Sequence, residues 1–180
     1  MIKKLFIKGA ATISTIALLV VPLAGIHADS TSGNFNLQGI VQASPSGGIT
    51  INSVTGIKTT GSADGTFQNG WKFVIDATVP SSEASLSMKF DNWLMQGNSN
   101  NAIPAAGNIR FYSGQSSNAY NEATAIYING AGTYTGTMFL SGDLGGMPSG
   151  RRHIQVVVDV RIPIGTQAGT YTDNFGIRTQ

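Results

Sequence analysis

The chain has 180 residues, a length expected for one domain of ordinary size. It contains no cysteine, which excludes disulfides, thiolate metal sites and thiol catalysis. Charged residues make up only 11% and hydrophobic residues 41%, a balance that excludes a disordered chain and favours a folded core with Gly-, Ser-, Thr- and Asn-rich turns.

The formal charge of +2 depends on three lysines near the N terminus, Lys3, Lys4 and Lys8. Past residue 28, eight basic residues stand against nine acidic ones, which leaves a net charge of −1. In this part of the chain, Arg151-Arg152 is the only pair of adjacent basic residues. Because phosphate binding needs a clustered positive surface, we expect no nucleic-acid partner.

The first 28 residues have the layout of a secretory signal peptide. A basic start leads into the apolar stretch 10–26, and the small residue Ala28 precedes Asp29. The stretch contains Pro22 and is shorter than the ~20 residues of a membrane-spanning helix. We expect cleavage after Ala28 and no stable membrane span afterwards, with a retained anchor as the alternative. A polar leader, 29–34, and one domain, 35–180, would follow.

Short runs of alternating apolar residues, separated by Gly, Asn, Ser and Pro clusters, predict an all-β domain. The clearest runs begin at Trp71, Leu86 and His153, and their apolar side chains share one parity. We expect an antiparallel β-sandwich, immunoglobulin-like or jelly-roll-like, with about nine strands. The predicted strands are 35–43, 48–57, 71–75, 86–90, 108–112, 124–128, 133–141, 153–163 and 170–179.

Two polar segments without apolar alternation, 96–106 and 113–121, are predicted to be surface loops, where binding residues commonly lie. The dipeptides Asp64-Gly65 and Asn129-Gly130 predict tight turns, because both tolerate a positive φ.

Exposed aromatic residues are the best indication of ligand binding, because sugar rings stack on them. Trp93 breaks the alternation of the preceding strand, which predicts a place on the outer face or at the start of a loop. With Tyr112 and Tyr120 it could form a platform, and Asn98 and Asn100 could add polar contacts. We favour the other interpretation, a partly buried Trp93 that seals one end of the sandwich.

No catalytic residue is predicted. His153, the only histidine past residue 28, is expected to be a solvated residue at a strand end, and no Gly-x-Ser-x-Gly motif accompanies it. Zinc is not expected, because the chain has neither a histidine cluster nor a thiolate. A secreted hydrolase with a carboxylate pair stays as a remote alternative. The acidic candidates, by residue type alone, are Glu83, Asp91, Glu122, Asp143 and Asp159.

No cofactor is predicted, with a structural calcium ion as the alternative. Oxygen ligands in or near loops would come from Asp64, Asp91, Asn92 and Asp143, although no run matches the acidic loop of an EF-hand.

The segment Arg161-Ile-Pro-Ile-Gly-Thr-Gln-Ala-Gly-Thr-Tyr-Thr-Asp-Asn-Phe resembles the closing strands of bacterial extracellular immunoglobulin-like or fimbrial-type β-sandwich modules. Such modules often end in a proline, two spaced glycines and a Tyr-Thr pair. Pro163 would end one strand, and Gly165 and Gly169 would permit the corner. Tyr171 would bury its ring while its hydroxyl reaches the backbone, as in a tyrosine corner.

From Trp71 onward the chain is similar to uncharacterised exported proteins of candidate-phylum bacteria. The similar segments include Met88-Lys-Phe-Asp-Asn-Trp, Asn108-Ile-Arg-Phe-Tyr-Ser and Gln155-Val-Val-Val-Asp-Val-Arg. This resemblance implies a surface protein and assigns no functional residue.

The expected function is therefore that of a secreted or cell-surface structural or adhesive protein, which acts by surface binding or self-assembly. Its partners would be copies of itself, other envelope proteins or glycans. The alternative is a carbohydrate-binding module.

Overall fold

The computed structural model describes residues 31–33, 40–41 and 48–180, with side chains from residue 48 onward. The expected signal peptide and most of the leader lie outside these residues. The described part is all-β, as predicted, and its only helical element is a 3₁₀ turn at Glu122–Thr124. None of its helices is long and apolar enough to cross a membrane. The strands are β1 (Thr31–Gly33), β2 (Ile40–Val41), β3 (Thr50–Lys58), β4 (Thr60–Gly61), β5 (Trp71–Pro80), β6 (Ser85–Phe90), β7 (Trp93–Met95), β8 (Asn98–Ile103), β9 (Ile109–Ser113), β10 (Ile126–Tyr127), β11 (Thr135–Phe139), β12 (Arg151–Val160), β13 (Thr170–Thr172) and β14 (Phe175–Thr179).

The central sheet has the order β10-β9-β12-β5-β3 and is antiparallel throughout. Its longest pairing joins β12 to β5 without a break, from Arg151 opposite Pro80 to Val160 opposite Trp71. Apolar residues alternate along both strands, and the apolar side chains that share one face of each strand are buried. The strands that the sequence predicts most clearly therefore form the middle of the sheet.

The second layer consists of two sheets, ordered β11-β6-β14-β2 and β4-β1-β13-β7-β8. Strand β6 pairs with β14, and β7 pairs with β13. Only two residues separate β6 from β7, and only two separate β13 from β14. The two sheets therefore continue each other across a short break in both strands.

The core lies between the two layers. Trp71 and Phe73 of the central sheet pack on Trp93 of β7, with ring centroids 5.0 and 5.5 Å apart, and Trp71 also packs on Tyr171 at 6.0 Å. All four aromatic rings are fully buried. Two apolar sheet faces that share one core make a sandwich-like all-β arrangement.

The described residues form fourteen short strands rather than about nine, and the structure also corrects three details of the predicted elements. The predicted loop 96–106 contains β8, a largely exposed polar strand in which only Ile103 is fully buried. The predicted strand 170–179 is interrupted and forms β13 and β14. Strands β1 and β2 pair in parallel with β13 and β14, whereas antiparallel pairing was expected. Parallel strands need a long connection, and nearly the whole described chain lies between these strands and their partners.

Candidate functional site

The predicted aromatic platform around Trp93 is not present. Trp93 is 1% exposed and stacks on Phe73 in the core, which corrects its predicted place on the outer face. In an unbroken strand, Phe90 and Trp93 would point to opposite faces. Both point inward because Asp91-Asn92 interrupts the strand and resets its phase.

The other predicted ligand residues lie in separate parts of the described structure. Tyr112 is 7% exposed on the outer face of the central sheet, where its hydroxyl accepts a hydrogen bond from Lys72 Nζ at 3.2 Å. Tyr120 is half-buried beside Phe139, with ring centroids 6.4 Å apart. Asn98 and Asn100 are exposed on β8. No contact among residues 48–180 joins these side chains into one site.

The predicted corner between β12 and β13 has the expected geometry. The Tyr171 ring is buried, and its hydroxyl donates to the carbonyl oxygen of Gln167 at 2.7 Å. Thr166 N–H donates to Pro163 O at 3.1 Å, and Gly165 has a φ of +86°. A Cβ on Gly169 would lie 2.4 Å from the terminal methyl group of Met95, the flexible end of a side chain that can move aside.

His153 is held in an ion pair, which corrects its expected place as a solvated strand end. Its Nε2 lies 2.7 Å from Asp76 Oδ1, and its Nδ1 lies 3.2 Å from Gly145 O. The hydrogen bond to Asp76 raises the pKa of His153. Both ring nitrogens are engaged, so neither is free to act as a general base towards a nucleophile.

The candidate acids Glu122 and Asp159 meet at one arginine. Arg110 Nη2 lies 2.7 Å from Glu122 Oε1 and 2.8 Å from Asp159 Oδ2, and Lys72 Nζ lies 3.5 Å from Asp159 Oδ1. Asp159 is 1% exposed although it points away from the apolar core. Two cations thus face two carboxylates, and the ion pairs connect β5, β9 and β12 on this face of the sheet.

Asp64 and Asp143 stabilise their own loops. Asp64 accepts hydrogen bonds from Thr66 N–H at 2.9 Å and from Asn69 Nδ2 at 2.6 Å, and these bonds lower its pKa. Asp143 Oδ1 accepts from the backbone N–H groups of Gly145 and His153, both at 2.8 Å. Their role is therefore that of turn-forming acceptors.

A further acidic pair lies where the second layer is interrupted. Asp91-Asn92 separates β6 from β7, and Asp173-Asn174 separates β13 from β14. Phe90 faces Phe175 and Leu94 faces Thr172, so three residues of one strand oppose two of the other, as in a β-bulge. A cleft of about 570 Å³, which we call the break cleft, opens here and is lined by both Asp-Asn dipeptides.

Asp173 is the buried acid of the break cleft. It is 4% exposed, and its Oδ1 accepts from Asn174 N–H at 2.6 Å, while its Oδ2 has no hydrogen-bond partner. Burial raises the pKa of Asp173 to about 8, the charge of Asp91 acts in the same direction, and nearby backbone amides offset this only in part. Sequence reasoning missed Asp173 as a site residue. The signal was the repeated Asp-Asn dipeptide, followed by Trp93 in one copy and Phe175 in the other.

The edges of the described sheets form a second notable surface. Among the six strands that end these sheets, the only charged residue is Lys58. Three of the six expose a large apolar side chain: Ile57 is 60% exposed, Tyr127 49% and Phe139 61%. Strands β10 and β11 lie against each other, so among these three only β3 presents its exposed apolar side chain at an edge that no other described strand faces.

No known family model matches this chain, and no curated protein is significantly similar to it.

Proposed function

We propose that this chain is a secreted or cell-surface structural or adhesive protein that acts by surface binding or self-assembly. The supporting observation is the chemistry of the sheet edges. Natural sheets use charged residues, proline and bulges to keep their edges from pairing with other chains. Here one lysine is the only charge on the strands that end the described sheets.

Strand β3 is the edge that we consider for pairing with a second copy, and Lys58 and two register shifts limit such pairing to the stretch 53–56. It is the longest of the edge strands and, within the described residues, pairs with β5 alone. Its register shifts between Ile51 and Ser53 and again between Gly56 and Lys58. A partner would therefore meet a regular stretch at 53–56, beside the exposed Ile57.

The proposal that the protein is exported is based on the layout of residues 1–28. The proposal of an immunoglobulin-like fold is based on the corner between β12 and β13. The Tyr171 hydroxyl bond to Gln167 O supports an immunoglobulin-like sandwich, because such a bond marks the tyrosine corner of that fold. Partners would be copies of the chain or other envelope proteins.

Self-assembly is tested by placing a charge on the β3 edge. We expect the secreted protein to associate as its concentration rises in sedimentation velocity, and Ile57→Lys to weaken this association at least tenfold. Ile164→Lys is the matched control, because Ile164 is 82% exposed and lies in a turn rather than on an edge strand. A wild-type protein that stays monomeric at high concentration would refute self-assembly, and equal effects of both variants would refute the edge.

The location is tested in the native culture with an antibody raised against residues 29–180. Recovery in high-mass assemblies on the envelope supports the proposal. Recovery only as a monomer inside the cells would contradict it.

A further inference from the structure

We propose that the break cleft binds one divalent cation of the calcium type through Asp91 and Asp173. This inference is independent of the proposed function. The site lies where two neighbouring segments of the chain are interrupted, one between β6 and β7 and the other between β13 and β14. On either side of the interruption, β6 pairs with β14 and β7 pairs with β13.

The first step is the unpartnered oxygen. A buried carboxylate oxygen without a hydrogen bond is costly, and natural proteins rarely leave one. Asp173 Oδ2 has no partner although the residue is 4% exposed and lines the cleft. A bound cation would supply the missing partner.

The second step is the contrast with the other acidic residues named as candidates. Asp64 and Asp143 accept hydrogen bonds within their own loops, and Asp159 faces Arg110 and Lys72. Asp173 instead shares the cleft with a second carboxyl group, that of Asp91, and no lysine or arginine lines the cleft. Two carboxyl groups that share a cleft without a basic side chain are an arrangement whose ionised form a bound metal ion would stabilise.

The third step is the type of ion. The cleft offers the two carboxylates together with the side-chain amides of Asn92, Asn174 and Gln96, and no histidine lines it. Nowhere in the described part do three or more His, Asp or Glu side chains gather as a metal cluster. Calcium suits such a site, because it takes carboxylate, amide, backbone and water oxygens in flexible numbers, whereas zinc prefers nitrogen and sulfur.

An ion here would join the two halves of the second layer. Asp91 follows β6 and precedes β7, and Asp173 follows β13 and precedes β14. One direct backbone bond, from Asp91 N–H to Asn174 O at 3.1 Å, already crosses the break. A cation between the carboxylates would add a second connection across it.

The test is direct binding to the full secreted chain after treatment with EDTA. We expect calorimetric titration with Ca²⁺ to give one site, and Tb³⁺ to give luminescence on excitation of tryptophan, because Trp93 follows Asn92 directly. Added Ca²⁺ should compete with Tb³⁺. Asp173→Asn and Asp91→Asn should each weaken binding at least tenfold.

The matched control is Asp143→Asn, which removes one exposed loop carboxylate and should leave Ca²⁺ affinity unchanged. Circular dichroism would verify that each variant folds. If Asp173→Asn fails to fold, the variant Asp91→Asn, at an exposed position, still tests the inference. Ca²⁺ should raise the Tm of the wild type but not that of Asp91→Asn. Absence of Ca²⁺ and Tb³⁺ binding to the wild type, or equal loss in the control, would overturn the inference.

Discussion

The ion pair between His153 and Asp76 makes stability depend on pH. The hydrogen bond to Asp76 raises the pKa of His153. Although burial opposes it, hydrogen bonds from Asn52, His153 and Gln155 lower the pKa of Asp76. The contribution of His153 to the free energy of unfolding is complete below its pKa in the unfolded chain, about 6.5, and is lost as the pH rises through its pKa in the folded protein. The contribution of Asp76 is complete above its pKa in the unfolded chain, about 3.9, and is lost as the pH falls through its pKa in the folded protein.

We therefore expect the pair to stabilise the protein most between about pH 4 and 6.5. Urea unfolding of the wild type and of His153→Gln should differ by about 0.5–1 kcal/mol more at pH 5.5 than at pH 9. Glu122→Gln is a useful comparison, because it changes a different surface ion pair. A difference between wild type and His153→Gln that does not vary with pH would contradict the assignment.

At the residue scale, sequence reasoning succeeded where a side chain followed the strand period. Trp71 lies in phase with its neighbours and is buried as expected. Trp93 could not be placed in this way, because its phase depends on a break that is visible only in the pairing of β6 with β14. Asp159 follows the predicted parity, yet it is buried by Arg110 and Lys72, which come from neighbouring strands.

At the scale of elements, the corner between β12 and β13 depends on one hydroxyl. Tyr171→Phe keeps the buried ring and removes the bond to Gln167 O, so we expect a loss of about 1 kcal/mol in the free energy of unfolding. Chemical denaturation followed by circular dichroism measures this change. Tyr120→Phe, at a half-buried ring outside the corner, should change stability by less than about 0.5 kcal/mol. Equal losses in the free energy of unfolding in the two variants would show that the hydrogen bond from the Tyr171 hydroxyl to Gln167 O does not itself stabilise the protein.

Strands were predictable in proportion to their apolar alternation. Strand β12 and its neighbour β5 were found because one face of each is buried against the other layer. Strand β8 was missed because both of its faces are largely polar and exposed, which removes the period-two signal. The break cleft was missed because strand 170–179 was predicted as continuous and strand 86–90 was predicted without its continuation β7, so the two paired interruptions were not visible.

At the scale of the whole molecule, pairing between distant segments should make folding slow. Trp71 faces Val160, and Ser32 faces Thr170. Proteins dominated by such pairings fold in milliseconds to seconds, because a long loop must close before any contact forms. Stopped-flow refolding, observed by tryptophan fluorescence, should therefore give relaxation times of about a millisecond or longer. Complete refolding within microseconds would contradict this expectation.

The sandwich-like arrangement was predictable from strand content, whereas strand order was not. Antiparallel pairing in the central sheet was predicted correctly, although its longest pairing joins β5 and β12, which are far apart in the sequence. The parallel pairs of β1 and β2 join the beginning of the described chain to its end, and no local pattern reports a contact over that separation.

These two parallel pairs also set an order of events for a newly made chain. Of the described strands, synthesis delivers β1 and β2 first and their partners β13 and β14 last. The fold must therefore stay incomplete until β13 and β14 have been made, because β1 and β2 lack these neighbours until then. A ribosome that stalls before Thr170 releases a product without β13 and β14, whose earliest strands lack their final neighbours and are open to degradation or aggregation.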